Sequence, residues 1–251
     1  MATIASQVIL HPAASQSVNV LATTLGRDKL YRAVQYFSRF LAWFLVTRGY
    51  TVQGARWNAL KNALASGRKL MRLAKPLEHL QAALKASHSF KNTGEGVTTI
   101  ARQLGYAGYL SYDAVAWASS IRFLTFSKET TAKVTKRANQ FWLAGILFSL
   151  THGLLKAGRL ANEVKSLREN KSWMEKDVGS QAENTGKITA LQRDRASTRY
   201  QLVIDILDVW IPAANLGLVN FNDGILGIFG FITSIMALRT HWAAVNKVKQ
   251  S

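Results

Sequence analysis

The chain of 251 residues carries 32 lysine and arginine side chains against 14 aspartate and glutamate side chains, a formal net charge of +18. Such an excess predicts a negatively charged partner, either nucleic acid or anionic lipid. Because 48% of the residues are apolar, the chain is not a disordered basic tail. It has no cysteine, which excludes disulfides, thiolate nucleophiles and cysteine-ligated metal centres.

Apolar residues recur at three- and four-residue steps along almost the whole chain, while strand-like alternation is scarce. This periodicity predicts an all-α protein. The composition divides the chain into four regions. These are a basic N-terminal region with amphipathic helices (1–92), apolar helices (93–158), a charged helix and linker (159–200), and an apolar helical hairpin with a basic tail (201–251).

The most informative segment is a helix predicted over residues 56–86. A broad apolar stripe runs along it, with a basic stripe beside it. Residues 26–91 hold 13 basic and 2 acidic side chains, a net charge of +11, so few salt bridges offset the repulsion. Such a helix is typical of an anionic membrane surface. We expect Pro76 to kink or divide it. The predicted lipid-binding residues are Trp57, Lys61, Leu64, Arg68, Lys69, Leu70, Met71, Arg72, Lys75 and Leu77.

Nucleic acid is the competing partner for so basic a chain. Specific readout needs polar side chains that face the bases from a soluble folded scaffold. The sequence has no zinc-finger spacing, no RNA-binding aromatic motif and no basic-zipper heptads. We therefore favour a lipid surface and predict that the chain does not bind nucleic acid.

Two apolar stretches follow in the C-terminal half. A candidate membrane helix covers residues 140–156, and its apolar core of 141–155 rises about 23 Å, less than the roughly 30 Å of a hydrocarbon core. An apolar hairpin follows, with arms at 202–219 and 224–238. Small residues at steps of three and four along these helices predict close helix packing or self-association. They are Gly145, Ser149, Gly153, Ala157, Gly224, Gly227 and Gly230.

The ionisable residues give no sign of a catalytic or metal site. The five histidines lack ligand spacing, and no serine lies in a nucleophile elbow. Asp113, Asp205 and Asp208 lie among apolar residues and need partners. Arg122 or an arginine of 193–199 could serve. We therefore predict a protein that is not an enzyme and that holds no cofactor and no metal ion.

Four sequence blocks stand out along the chain. They are 25–29 (LGRDK), 66–69 (SGRK), 105–109 (GYAGY) and 205–238 with its glycine-rich last helix. Together they resemble the peroxin-eleven family of peroxisomal membrane proteins, with the overall look of a filamentous-fungal member. In the terms of that family, Arg68, Lys69, Arg72 and Lys75 match the positions of lipid contact.

The resemblance implies a protein that elongates the peroxisomal membrane before division, with its N-terminal half facing the cytosol. It also implies self-association, and recruitment of a dynamin-like GTPase through a tail-anchored adaptor. Our first hypothesis is therefore a membrane-associated helical protein that binds an anionic phospholipid membrane through interfacial amphipathic helices and bends it. The alternative is a pore-forming channel for small metabolites in the same membrane.

Overall fold

The computed structural model describes residues 4–89, 93–169 and 178–247, and every regular element in these ranges is an α-helix. The prediction of an all-α protein is confirmed. In chain order the helices are α1 (Ile4–Ile9), α2 (Pro12–Leu21), α3 (Thr24–Thr47), α4 (Thr51–Leu70), α5 (Lys75–Ser89), α6 (Thr93–Ser120), α7 (Lys128–Glu169), α8 (Val178–Asp208), α9 (Trp210–Asn215) and α10 (Asp223–Lys247).

The described residues form two compact units, each built from separate parts of the chain. The first unit comprises the described residues of Met1–Ala74, Tyr112–Thr135 and Ala213–Ser251. The second comprises those of Lys75–Ser111 and Lys136–Pro212. Helix α4 therefore belongs to the first unit and helix α5 to the second.

In the first unit, α3 and α4 pack as a helical hairpin. The Thr23 hydroxyl accepts the backbone N–H of Gly26 at 2.9 Å and caps the start of α3. Gly49 lies between the two helices with a φ of 86°, a left-handed conformation that glycine adopts without a steric clash. Gly54 of α4 then faces Val46 of α3, where a side chain has no room. This close contact fixes which side of α4 is turned towards α3.

Helix α10 packs along α3 through a row of glycines. In order, Gly224, Gly227 and Gly230 lie against Trp43, Phe40 and Tyr36. The residue numbers of the glycines rise along α10 while those of their partners fall along α3, so the two helices are antiparallel. A Cβ atom built on Gly227 lies 2.7 Å from the backbone nitrogen of Phe40. The two backbones therefore approach more closely than a side chain at this position allows.

Polar contacts near both ends of α10 fix its register on α3. Arg39 Nη2 lies 2.6 Å from Asp223 Oδ1, at the first residue of α10. Towards the other end, His241 Nε2 lies 2.7 Å from the hydroxyl oxygen of Thr23, the residue that caps α3. These two contacts and the glycine row define a single alignment of the helices.

In the second unit, α6 and α7 also meet at small residues. A Cβ atom built on Gly105 lies 2.8 Å from the Cα atom of Gly145. Further along α7, Gly153 faces Leu202 of α8. The small residues of α7 thus let two neighbouring helices approach it within one unit.

Two segments of the described chain are long and apolar enough to cross a membrane: Lys128–Leu167 of α7 and Asp223–Asn246 of α10. The 25 residues of α10 rise about 37 Å, more than the roughly 30 Å of a hydrocarbon core. The predicted membrane helix at 140–156 lies inside the longer α7. Helices α7 and α8 run across the compositional boundaries at 158 and 200.

The structure divides the helix that the sequence predicted over 56–86. Helix α4 ends at Leu70, residues 71–74 form a turn, and α5 begins at Lys75. Pro76 is the second residue of α5, in the first turn, where its missing N–H removes no intrahelical hydrogen bond. The predicted break at this proline is confirmed.

The C-terminal apolar region turns over residues 216–222, which overlaps the segment 220–223 between the two predicted arms. Helices α8 and α9 precede this turn in the chain, and α10 follows it. The sequence did not indicate that α10 packs against α3, because the two helices are far apart in the chain.

Candidate membrane-binding surface

The outward side of α4 carries a row of apolar residues, with the exposed Arg56 among them. Val52, Leu60, Ala63 and Leu70 are exposed, and their spacing places them on one side of the helix. Leu70 keeps 53% of its surface exposed. A group of exposed apolar side chains on one helix marks a surface that contacts a membrane or another partner. We term these four residues the outer face of α4.

The side of α4 that is turned towards α3 carries an aromatic and a basic residue. Trp57 packs edge-on against Phe37, with ring centroids 6.2 Å apart. Arg68 is only 6% exposed. Its Nε donates to Asp28 Oδ1 at 2.9 Å and its Nη1 donates to Gln35 Oε1 at 2.7 Å. Helix α4 therefore directs the Arg68 charge inward and the outer-face residues outward.

The carboxyl group of Asp28 is ionised in this buried pair. Burial alone would raise the pKa of Asp28. The positive charges of Arg68, Arg72 and Lys29 together lower the pKa by more than burial raises it, so it lies below its usual value of 3.8. The ion pair is consequently present at neutral pH. Its contribution to stability is complete above the pKa of the unfolded chain and is lost as the pH falls through the lowered pKa of the folded chain.

Asp113 of α6 pairs with Lys69 and Arg72, the two basic residues that follow Arg68 in the chain. Lys69 Nζ lies 2.9 Å from Asp113 Oδ1, and Arg72 Nη2 lies 3.0 Å from Oδ2. The sequence suggested Arg122 or an arginine of 193–199 as a partner for this aspartate. The structure supplies instead the end of α4 and the turn that follows it.

Helix α5 carries an exposed leucine stripe, which consists of Leu77, Leu80 and Leu84 at steps of three and four. Leu77 is 65% exposed. Lys75 Nζ lies 3.7 Å from Glu78 Oε2 in the first turn of the same helix. A pair at this distance with an exposed glutamate contributes little to stability. The leucine stripe is therefore the main chemical feature of the α5 surface.

The ten predicted lipid-binding residues fall into three groups. Leu70 and Leu77 are exposed. Trp57, Lys61, Leu64, Met71 and Lys75 are half-buried. Arg68, Lys69 and Arg72 are paired with carboxylates of α3 and α6. Lipid contact by these residues stays a prediction, and contact by Arg68 requires its buried pair with Asp28 to open first.

The glycine faces that the sequence predicted for helix packing are occupied within the chain. Gly224, Gly227 and Gly230 lie against α3, while Gly145 and Gly153 lie against α6 and α8. An oligomer or a pore assembled through these glycines would have to displace the packing described above. Self-association and the pore alternative stay predictions. With the packing intact, both would have to use a surface other than these glycines.

The remaining small residues of α7 have different surroundings. Ser149 donates its hydroxyl to Asp205 Oδ2 at 2.6 Å, and Gln201 donates to Oδ1 of the same carboxylate at 2.9 Å. Ala157 is half-buried. Asp205 thus has a serine and an amide as its hydrogen-bond donors, where the sequence suggested Arg122 or an arginine of 193–199.

Comparison with known proteins covers most of the chain. The family described as Peroxisomal biogenesis factor 11 (PEX11) matches residues 14–242. The chain belongs to this family. The resemblance drawn from the LGRDK, SGRK and GYAGY blocks is confirmed, and the matched range runs from α2 to α10.

Other PEX11 relatives align over nearly their whole length. Peroxisomal membrane protein PMP30A of Candida boidinii is 28% identical over 252 residues, which covers 96% of this chain and 98% of that protein. Peroxisomal membrane protein PMP27 of Saccharomyces cerevisiae is 28% identical, with coverage of 94% and 98%. Peroxisomal membrane protein 11A of Homo sapiens is 26% identical, with coverage of 86% and 92%. No solved structure is significantly similar to the chain.

The sequence analysis missed the acidic residue that organises this surface of the PEX11 chain. Asp28 lies inside the LGRDK block and is one of 2 acidic residues in 26–91. One of only two carboxylates among so many cations is itself a signal, because it is a ready partner for one of them. The structure shows that the partner is Arg68, 40 positions away.

Proposed function

We propose that this PEX11-family chain binds the anionic surface of the peroxisomal membrane through α4 and α5 and promotes curvature, elongation and division. The observation that carries the proposal is the outward position of apolar side chains on both helices: the outer face of α4 and the leucine stripe of α5. Membership of the family and the names of the relatives support the peroxisomal membrane as the site of action.

Exposed leucines at helical spacing favour insertion into the acyl layer of a bilayer. Moving one exposed leucine side chain from water into hydrocarbon contributes roughly 1.5 kcal/mol or more. A helix that lies in one leaflet expands that leaflet relative to the other, and the difference in area favours curvature. Insertion of α4 and α5 therefore links binding directly to bending.

Positive charge adds to this apolar attraction. Each lysine or arginine close to an anionic surface contributes about 1 kcal/mol, and the contribution decreases with salt. Arg56 is exposed and Lys61 is half-buried on α4, while Lys75 is half-buried at the start of α5. These side chains are better placed for headgroup contact than the buried Arg68.

The proposal places the N-terminal half at the cytosolic face of the membrane. Residues 26–91 carry a net charge of +11, which suits the anionic cytosolic leaflet. Division also needs a partner that severs the elongated membrane. The family resemblance implies that a dynamin-like GTPase, recruited through a tail-anchored adaptor, acts together with further copies of this chain.

Replacing Leu77 and Leu84 together by glutamine tests the proposal. Both side chains are exposed in the structure, and glutamine is a good helix former, so the fold is expected to stay intact. Loss of two leucine insertions weakens the membrane contact of α5 by about a hundredfold. In proteoliposomes of phosphatidylcholine and phosphatidylserine, electron microscopy is expected to show tubules with the natural chain and few or none with the variant.

The matched control is Leu218→Gln. This leucine is 66% exposed and lies in the turn before α10, so it belongs to neither α4 nor α5. It is expected to tubulate vesicles like the natural chain. Equal tubulation by all three proteins at the same protein-to-lipid ratio would rule out α5 as the inserting helix.

A further inference from the structure

Helix α10 is long and apolar enough to cross a bilayer, with no charged residue over 224–238. Its packing points to a different position. Asp223, its first residue, pairs with Arg39 of α3. Near its other end, His241 contacts Thr23, so α3 accompanies α10 over most of its length. We propose that α10 lies in the plane of the membrane, with its exposed isoleucines in the acyl layer of one leaflet and both of its ends on the same side of the bilayer.

The charges of α3 oppose a position of α10 across the membrane. Helix α3 carries five charged residues, and two of them are Asp28 and Arg32. Both lie in α3 between its contacts with Gly230 and His241, and so lie level with the middle of α10. A crossing α10 would carry them into the hydrocarbon core together with Arg68, the partner of Asp28. Charged side chains at that depth are costly, so this packing favours a helix that stays in one leaflet.

An apolar surface extends from α10 across α3 to α4. Phe37 of α3 is 39% exposed. Its ring centroid lies 5.5 Å from that of Phe231 on α10 and 6.2 Å from that of Trp57 on α4. Phe37 follows Asp28 by nine positions, about two and a half helical turns, so the two residues lie on opposite sides of α3. The side of α3 that carries Phe37 is therefore the side that can meet lipid without its buried charges.

The isoleucine row of α10 continues this apolar surface. Its members, all exposed, are Ile228, Ile232 and Ile235. Ile228 and Ile235 lie three residues before and four residues after Phe231, so they are its neighbours on the helix surface. At the other end of the apolar surface, Leu60 of the outer face of α4 lies three residues after Trp57. Because the outer face of α4 is assigned to the membrane, the same acyl layer is the occupant that fits the isoleucine row.

This inference rests on the proposed membrane function and is tested with the full chain in vesicles of phosphatidylcholine and phosphatidylserine. The chain contains no cysteine, so Asn220→Cys and Ala244→Cys together place one thiol near each end of α10, at exposed positions. Vesicles recovered by flotation are treated with a membrane-impermeant maleimide, and the intact mass of the chain gives the number of labels on each molecule. In detergent both thiols react, which controls for their reactivity.

We expect molecules with two labels or with none, because both ends of α10 share one side of the bilayer whichever way a molecule is oriented. A crossing α10 presents one end to each side, so each molecule would carry a single label. A majority of singly labelled molecules overturns the inference.

A second pair of variants tests whether α10 contacts lipid. Replacing Ile228 and Ile235 together by glutamine removes two members of the isoleucine row and keeps good helix formers at both positions. Flotation over a range of lipid concentrations is expected to show about tenfold weaker binding. The matched control replaces Ile121 and Leu218 by glutamine. These residues are 50% and 66% exposed and belong to the same unit, but they lie in turns, so this chain is expected to bind like the natural one.

The outcomes separate this inference from the proposed function. Equal binding by the two glutamine chains overturns insertion of α10, even with both of its ends on one side. If the chain with the isoleucine replacements does not fold, as judged by circular dichroism, the labelling decides the question. If the natural chain tubulates vesicles but molecules of the double-cysteine chain carry single labels, only the position of α10 in the plane fails. If the natural chain does not float with the vesicles, the proposed function itself fails.

Discussion

Replacing Arg68 by glutamine is expected to destabilise the α3–α4 hairpin strongly and not simply to weaken lipid binding. The substitution leaves the Asp28 carboxylate, 4% exposed, without the guanidinium that donates to it at 2.9 Å. Removing one partner of a buried ion pair lowers the free energy of unfolding by about 3 kcal/mol or more. That is a large share of the stability of a typical domain. The measurement is the thermal loss of helical circular dichroism of the detergent-solubilised chain in the absence of anionic lipid.

Two further variants separate this structural role from a role in lipid contact. Lys61→Gln removes one positive charge from the same helix at a half-buried position, and we expect it to change stability by no more than about 0.5 kcal/mol. Combining Arg68→Gln with Asp28→Asn removes both buried charges and is expected to recover most of the lost stability. An Arg68→Gln chain that melts like the Lys61→Gln chain contradicts the assignment of Arg68 to the folded hairpin.

Adding one methyl group at Gly227 is expected to force α10 away from α3. A Cβ atom there lies 2.7 Å from the nitrogen and 2.9 Å from the Cα atom of Phe40, and backbone atoms cannot rotate aside. Overpacking of a filled contact lowers the free energy of unfolding by about 1–3 kcal/mol. In Gly227→Ala this loss outweighs the gain of about 1 kcal/mol that alanine has over glycine in a helix. Thermal unfolding of the full chain measures the difference.

The same substitution at Gly67 is the control. Gly67 lies in α4 of the same unit, and a Cβ atom there meets no atom within 4 Å. Gly67→Ala is therefore expected to raise the free energy of unfolding by up to about 1 kcal/mol. If Gly227→Ala lowers the free energy of unfolding and Gly67→Ala raises it, the close packing at Gly227 is the cause of the loss. Equal stability of the two variants is incompatible with the close contact between α3 and α10.

Local features of the fold could be predicted from the sequence. The helical class follows from apolar periodicity, and the break near Pro76 follows from the chemistry of one residue. The glycine steps at Gly224, Gly227 and Gly230 predicted close helix packing or self-association, and in the structure these glycines lie against α3. They could not indicate the partner helix, because any helix with a complementary surface satisfies a small-residue face. The partner, α3, lies almost 200 residues earlier in the chain.

The orientation of α4 could not be predicted for a related reason. Periodicity finds an apolar and a basic stripe on a helix but does not say which one other parts of the chain cover. That depends on Asp28 and Asp113, which lie on other helices and hold Arg68, Lys69 and Arg72. The sequence therefore named plausible lipid-contacting residues, and the structure divides them into exposed apolar residues and paired cations. Leu70 and Leu77 are the predicted residues that remain exposed.

The depth of Leu77 in a bilayer decides whether the outward leucines meet lipid. The chain contains no cysteine, so Leu77→Cys provides a single site for a spin label, and Glu183→Cys provides a water-facing site on α8 with 67% of the side chain exposed. Both labelled chains are reconstituted into phosphatidylcholine–phosphatidylserine vesicles, and relaxation by dissolved oxygen is compared with relaxation by a water-soluble nickel chelate. We expect the label at Leu77 to respond to oxygen and to be shielded from nickel, which places it below the phosphates. A label at Leu77 that is as accessible to nickel as the label at Glu183 would contradict membrane insertion of α5.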